Sequence, residues 1–263
     1  MFATELRAGQ TDNIRIFAAH GNQRIGWRLM ANPVFKFVTY DTAKYPFARL
    51  FAEQVVHTPN LARFHESRLN GVSDSEQAYE ASLATRRLVR QVTQRPWFFK
   101  LYRAFVLNEI ASLFGLKMAY NWPPVFRVHL AGARSISAWH RDTEVTGRHD
   151  LIAVWVPFVD TFGANTIWIE NKYGSRELTP VAVKYGQALM FDSGYLWHCS
   201  VANTTDVTRF SMDFRVSPKR TDVEQPDLGI LSPRPPGYEK QLSRVKPGAQ
   251  YDRVQKIVWD EAA

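Results

Sequence analysis

The sequence predicts an α+β fold: a double-stranded β-helix (jelly-roll) barrel of short strands, backed by N-terminal helices. Three observations lead there. Two apolar helical segments occupy the stretch before Gly115. From Val125 a period-two pattern runs for about ninety residues with turns between its pieces. And in "VFRVHLA" one face, Phe126, Val128 and Leu130, is apolar while Arg127 and His129 point the other way. Buried arginine and histidine are costly in a closed apolar core, so that second face belongs to a ligand-holding interior or to solvent.

The elements follow in chain order. "NIRIFAA" and "QRIGWRLM" read as strands around a His20-Gly21-Asn22 turn, and "VFKFVTY" as a third strand. Residues 41–67 read as mainly helical. Ser73 to Gln94 is a clearer helix, opened by a Ser73–Glu76 capping box and carrying Leu83, Leu88 and Val89 on its apolar face. Pro96 suits the first turn of the next helix, "PWFFKLYRAFVLNEIASLF", which Gly115 ends. Helices this apolar must cover something large, most simply one face of a sheet.

Eight candidate strands follow: "VFRVHLA", "ISAWHRD", "LIAVWVPFV", "NTIWIEN", "TPVAVKYG", "QALMFDS", "WHCSVAN" and "TRFSMDFRVS". Eight short strands after a helical pair suit a jelly roll. From Pro218 onward the chain holds 6 of its 14 prolines and no long periodic segment, which predicts an extended wrap ending in a short helix near "YDRVQKIVW". The expected organisation is one domain over 1–263: strands and supporting helices in 1–124, the barrel in 125–217 and the tail in 218–263.

Bulk properties narrow the function classes. The 263 residues are 45% hydrophobic, enough for a real core. No apolar run reaches 18 residues, so no membrane span is expected, and "MFATELRAGQTDN" has neither a basic leader nor an apolar core of a secretory signal. A lone cysteine, Cys199, excludes an intrachain disulfide framework and a CxxC site; a cytoplasmic protein is the natural expectation. The net charge of +8 would suit nucleic acid, an acidic protein, an anionic small molecule, or simply a basic surface. No dense Lys/Arg run and no nucleic-acid module accompanies it, so a small-molecule substrate is favoured over nucleic acid. The helical face and the proline-rich tail would allow a homodimer without requiring one.

The chemistry gathers around "SAWHRDTEV". His140 and Asp142, two apart, would share one face of an extended strand. With 7 histidines in the chain, an HxD arises by chance in about one such chain in three, so the pair needs support. His198 supplies it, with 55 residues between Asp142 and itself; His149, in the turn-like "TGRHD", is too close to reach back. Two histidines and a carboxylate suit non-haem Fe(II), which must keep positions open for a co-substrate and oxygen. In "RFSMDFRV", Arg209, Ser211, Asp213 and Arg215 share one strand face, opposite Phe210, Met212, Phe214 and Val216. A guanidinium fork beside a hydroxyl suits the distal carboxylate of a dicarboxylate; the alternative is an edge strand whose charges pair among themselves, Asp213 with Arg215.

The joint spacing of His140-Arg-Asp142, His198 and Arg209-Phe-Ser211 resembles the iron(II)/2-oxoglutarate-dependent dioxygenase superfamily, over about residues 125–218. "HCSVANTTDVTRFSMDFRVSP" resembles that family's final barrel strands, and "MFDSGYLWHCS" looks closest to phytanoyl-CoA hydroxylase-like enzymes and antibiotic-cluster dioxygenases. The resemblance implies His140, Asp142 and His198 as iron ligands, and Arg209 and Ser211 as the grip on the C5 carboxylate of 2-oxoglutarate. It implies Fe(II), 2-oxoglutarate and O2 as the reaction's requirements, with release of succinate and CO2 and, as the simplest outcome, hydroxylation of an unactivated C–H of a small, anionic or neutral metabolite. Desaturation, oxidative cyclisation and epimerisation share these ligands, whereas Asp142 argues against a halogenase. Asn165 is either a 2-oxoglutarate contact or a turn residue beside Gly163. Trp168 and Glu170, sharing a face of "TIWIE", are substrate-pocket candidates, as are Arg127, His129 and Arg215 for an anionic group. Trp139 and Trp197 are expected as packing. A non-catalytic jelly roll holding a structural metal, or nothing, is the other class of reading.

Overall fold

The computed structural model describes residues 34–70, 74–114 and 118–218, with the backbone of Arg15–Ile16. The turn at His20–Asn22, Ser73, Gly115 and the tail beyond Pro218 lie outside the described residues.

Among the described residues ten strands form two sheets: β1 (Arg15–Ile16), β2 (Phe35–Thr39), β3 (Met118–Tyr120), β4 (Val125–His129), β5 (Ile152–Pro157), β6 (Ile167–Glu170), β7 (Glu177–Val181), β8 (Gln187–Phe191), β9 (His198–Cys199) and β10 (Arg209–Pro218). The larger sheet runs β2-β8-β5-β10-β3, with β4 also paired to β10, and all its pairings are antiparallel. The smaller sheet runs β1-β7-β6-β9.

Alternation along the strands decides what lies between the layers. On β5, Ile152, Val154 and Val156 face the helices, while Ala153 and Trp155 face the smaller sheet. β8 divides likewise, Ala188 and Met190 against Leu189 and Phe191. A strand buried on both faces reads as a nearly continuous apolar run, which is how "LIAVWV" and "ALMF" look in sequence. Ile169 and Val181 come from the smaller sheet to meet Trp155 and Leu189, so one apolar cluster fills the space between the sheets. β10 alternates as its sequence requires. Phe210, Met212, Phe214 and Val216 join the helical core, leaving Arg209, Ser211, Asp213 and Arg215 on the inner face.

The helices cover the outer face of the larger sheet. They are α1 (Phe47–Phe51), α2 (Phe64–Leu69), α3 (Ser75–Arg90) and α4 (Pro96–Phe105), with a short α5 (Asp142–Thr146) near the site. α3 is capped by Asp74, whose carboxylate accepts from the Glu76 N–H at 2.9 Å, a strong N-cap arrangement. Its buried positions are Ala78, Ser82, Thr85 and Val89, one helical face. Leu88 lies off that face at 44% exposure, because it is one step, or about 100°, from Val89. Ser82 Oγ donates to the Ala78 carbonyl at 2.7 Å and accepts from Leu130 N–H at 3.1 Å, tying the helix to the end of β4. α4 opens on Pro96 as expected and sends Phe98, Tyr102 and Phe105 into the core, each worth about 1.5–3 kcal/mol of apolar burial. It continues as a π turn over Val106–Ile110 and a 3-10 turn over Ala111–Leu113.

One expected strand does not form. "ISAWHRD" is a loop that makes a single bridge, His140 to His198. Ser200 Oγ accepts from the Ile136 and Ser137 N–H groups at 3.1 and 3.0 Å, and Asp142 begins α5. Serine side chains here take backbone partners that a strand ladder would need. "TPVAVKYG" is strand only at its start, since β7 begins earlier, at Glu177.

Candidate functional site

The non-strand path of 136–142 brings the predicted ligands together. His140 and His198 face each other across their bridge, with backbone bonds of 3.2 and 3.1 Å in the two directions and ring centroids 4.3 Å apart. Asp142 enters from the first turn of α5, its N–H bonded to the Ser193 carbonyl at 2.8 Å. Its Oδ1 is 3.8 Å from Nε2 of both histidines, and one ligand atom from each residue falls within 4.8 Å of the others.

The surroundings set the chemical state of each ligand. His140 Nδ1–H donates to the Ala138 carbonyl at 2.7 Å, and His198 Nδ1–H to the Leu196 carbonyl at 3.0 Å. A carbonyl accepts only, so in each neutral ring the Nε2 lone pair is left free, the tautomer a metal ligand needs. Burial, followed by the neighbouring His140, pushes His198 down to about 3, so it is neutral at pH 7. Burial alone would raise the Asp142 carboxyl, but Arg215 and the two histidines hold it well below the usual carboxylate range. Its Oδ2 accepts from Ser193 Oγ at 2.5 Å and from Arg215 Nε, and its Oδ1 from Arg215 Nη2 at 3.1 Å. Ser193 and Arg215 thus fix the carboxylate with Oδ1 toward the histidines.

A second group lies along the same inner face. Arg209 is 3% exposed, and its Nη1 donates to the Asn165 and Thr166 carbonyls at 2.9 and 3.1 Å. Burial, and then the charge of Arg127, lower it to about 9, so it stays protonated at neutral pH. It makes no ion pair among the described residues: Asp213, two pleats along the strand, is taken by Arg127 at 3.2 Å and by Arg215 at 2.6 Å. Among the described residues, Arg209 Nε, Ser211 Oγ and Asn165 Nδ2 are donors buried without a hydrogen-bond partner, whereas His129 Nδ1, whose ring donates through Nε2, is an unmet acceptor. Buried polar atoms are nearly always satisfied, so this concentration of unmet donors beside an unneutralised cation marks a place for an anion.

His140 and His198 of the first group and Arg209 of the second line one cavity, whose wall also includes Arg127, Trp155, Phe191 and Arg215. Other predicted residues fall elsewhere. On β6, Ile167 and Ile169 face inward, so Trp168 and Glu170 point to the opposite face. There Trp168 Nε1–H donates to the Gly163 carbonyl at 3.0 Å, and Glu170 accepts from the Arg176 and Trp197 N–H groups at 2.7 and 3.2 Å. His129 is fully buried behind the wall and donates to the Ala133 and Arg134 carbonyls at 3.3 and 3.0 Å. Burial and Arg209 push it down to about 3; a neutral ring there does not serve an anion as a cation. Asn165 Oδ1 holds the turn by accepting from Phe162 N–H at 2.7 Å, while its Nδ2 remains unmet. Trp139 and Trp197 pack against the cluster of Trp168, Leu178 and Cys199.

Ser193, Ser200 and Asn203 were not singled out by sequence pattern for the work they do. Asn203 Nδ2 donates to the His129, Leu130 and Val207 carbonyls at 3.2, 3.1 and 2.9 Å, clamping the end of β4 to the start of β10. Nothing local distinguishes such serines and asparagines from turn residues.

The fold and site together define a helix-backed pair of β-sheets with a His–Asp–His group and, on the same inner face, a buried arginine beside polar atoms that have no partner among the described residues. No family model matches the chain. It is similar to the streptomycin biosynthesis protein StrG of Streptomyces griseus, 38% identical over 109 residues, or 41% of this chain; the chain spans about half (51%) of the length of that relative. Among solved structures it is similar to EctD from S. alaskensis, determined with 2-oxoglutarate and 5-hydroxyectoine, with TM-score 0.49, 16% identity and coverage of 85% of this chain and 84% of that one. It is also similar to SnoK, described as a non-heme alpha ketoglutarate dependent carbocyclase from nogalamycin biosynthesis, with TM-score 0.43, 14% identity and coverage of 77% and 88%.

Proposed function

We propose that this chain is a non-haem Fe(II)/2-oxoglutarate-dependent oxygenase on a jelly-roll scaffold, acting on a small metabolite. The observation that carries the reading is the pairing, at one cavity, of a His–His–carboxylate group with a buried arginine that has no counter-ion among the described residues and stands among unmet donors. A structural metal site alone has no use for the second group. A dicarboxylate that reaches the metal with one end and Arg209 with the other uses both. The residues present therefore fit both the metal and the co-substrate.

In this reading His140 Nε2, His198 Nε2 and Asp142 Oδ1 hold Fe(II), with the tautomers and carboxylate orientation described above. Arg209 and Ser211 receive the distal carboxylate of 2-oxoglutarate, and Asn165 Nδ2 offers a further donor to it. Trp155, Ile167 and Phe191 give the cavity an apolar wall, which limits water near the reacting groups. Iron with 2-oxoglutarate and O2 supplies the oxidising power, with succinate and CO2 as co-products. Hydroxylation is the simplest outcome, with oxidative cyclisation beside it as a second outcome of the same ligands, and StrG's name supports a natural-product intermediate as substrate.

The test is an anaerobic titration of the purified protein with Fe(II) and 2-oxoglutarate. A weak visible charge-transfer band is expected, lost in His140→Ala. Absence of the band in wild-type protein, together with no succinate in air across a metabolite panel, refutes the proposal.

A further inference from the structure

Resting on the oxygenase reading, we propose that Arg127 is a second anion-binding group of the cavity, and that it receives a carboxylate, phosphate or sulfate group of the substrate. Arg127 lies on β4 directly opposite Ser211 of β10, so its side chain emerges on the same inner face as the 2-oxoglutarate grip. It lines the cavity but is not sealed within it: its side chain is 22% exposed, against 3% for residue Arg209. Arg209 is therefore at the closed end and Arg127 nearer the opening.

The guanidinium of Arg127 is only partly used. Nε donates to Asp213 Oδ2 at 3.2 Å, and neither terminal nitrogen makes a hydrogen bond among the described residues. Asp213 cannot neutralise it fully, because Arg215 Nη1 holds its other oxygen at 2.6 Å. Arg215 is in turn committed to both oxygens of Asp142. The three cavity arginines thus have separate assignments: Arg215 to Asp142 and Asp213, Arg209 to the co-substrate, and Arg127 to Asp213 through Nε alone, with its terminal nitrogens bonded to nothing among the described residues.

Charge balance points the same way. The wall carries the guanidiniums of Arg127, Arg209 and Arg215 and the carboxylate of Asp213, and the Asp142 carboxylate lies beside the two histidines that line it. A divalent metal adds two positive charges and 2-oxoglutarate removes two, so the loaded cavity keeps a surplus of one positive charge beside apolar walls. A substrate bearing an anionic group removes that surplus, and the free edge of Arg127 presents two parallel N–H donors to an oxyanion. The same chemistry would also fit a carboxylate of 2-oxoglutarate itself, so the experiment must separate the two.

The protein, charged anaerobically with Fe(II) and 2-oxoglutarate, is titrated with inorganic sulfate at constant ionic strength, by calorimetry and by the visible band. Sulfate is chosen as a poor ligand for Fe(II). Saturable binding is expected while the band persists. Arg127→Gln should weaken sulfate binding about tenfold or more, the loss of a charge-assisted pair of hydrogen bonds, and leave 2-oxoglutarate affinity within about twofold. Arg127→Lys keeps the charge beside Asp213 and covers the case in which the glutamine variant does not fold; it should weaken sulfate severalfold. The proposal is overturned if wild-type protein binds no sulfate, if sulfate expels 2-oxoglutarate, if both variants keep full sulfate affinity, or if they weaken 2-oxoglutarate as Arg209 variants do. In the same titration without 2-oxoglutarate, Arg209 is open to sulfate as well, so the difference between wild type and Arg127→Gln reads Arg127. An Arg127-dependent sulfate site in a protein that never develops the band would sink the oxygenase reading and leave the anion site standing.

Discussion

Replacing Arg209 by methionine removes a guanidinium that is buried, charged and unneutralised, and the consequences for ligand and for fold should separate. Two charge-assisted hydrogen bonds to a carboxylate are worth about 3–6 kcal/mol together. At about 1.4 kcal/mol per factor of ten, 2-oxoglutarate should bind about 10²–10⁴-fold more weakly. The fold should suffer far less. The variant leaves the Asn165 and Thr166 carbonyls without their donor, costing about 1–3 kcal/mol each. It also relieves the desolvation of an ion with no partner, several kcal/mol in the opposite direction. The ligand-free melting temperature is therefore expected to stay within about 5 °C of wild type. The assay is thermal unfolding under argon with Mn(II), with and without 2-oxoglutarate. A ligand at a hundredfold its Kd stabilises by about 2.7 kcal/mol, so wild type should shift visibly and Arg209→Met should not shift at the same concentration. Retention of the full shift, or of affinity within about threefold, would refute the argument that Arg209 waits for the co-substrate.

Ser193→Ala removes one donor from Asp142 Oδ2 and should weaken Mn(II) binding by about tenfold, measured by calorimetry; unchanged affinity would show that Arg215 alone positions the carboxylate. Asn203→Ala strips the shared donor from three carbonyls and should cost about 2–3 kcal/mol, read from the urea midpoint, with a loss under about 0.5 kcal/mol counting against the clamp. Acid should destabilise the metal-free protein. Asp142, Asp150 and Asp213 all titrate below their usual value once folded; burial opposes this, and Arg215, Arg148 and Arg127 respectively are among the groups that override it. A depressed folded pKa gives stability that is present above the unfolded value near 3.8 and lost as pH falls through the folded one. Burial likewise holds His129 and His198 down to about 3, so their stabilisation is lost as pH falls below the free-histidine value of 6.5. The urea midpoint should thus drop steadily below about pH 7, and a flat profile down to pH 3 would contradict these assignments.

Some of this was legible without coordinates because it depends only on neighbours along the chain. Period two in "RFSMDFRV" places Arg209 and Ser211 inside and Phe210 and Met212 against the helices wherever the strand goes. "VFRVH" and "LIAVWV" yield to the same reasoning. The α3 stripe was harder: Leu88 looks like core by type, but the buried face is Ala78, Ser82, Thr85 and Val89, two of them hydroxyls that bond the preceding turn. The path of 136–142 departs from its sequence pattern for a related reason. Its alternation is strand-like, yet Ser200, more than sixty residues away, captures its backbone and turns it into a loop.

The sequence by itself determined the ligand types, their spacing and the face on which Arg209, Ser211, Asp213 and Arg215 lie, since side-chain alternation is a property of the local backbone. Only the tertiary structure decided which polar atoms are met. Arg215 is spent on Asp142, 73 residues distant, and Arg127 is half-spent on Asp213, 86 distant. Trp168 and Glu170 turn away from the cavity because Ile167 and Ile169 take its side, whereas Arg209 is left with a buried charge and no counter-ion among the described residues. Hydrogen bonds and burial are settled between segments far apart in the chain, and it is the unmet donors among them that give the site its chemistry.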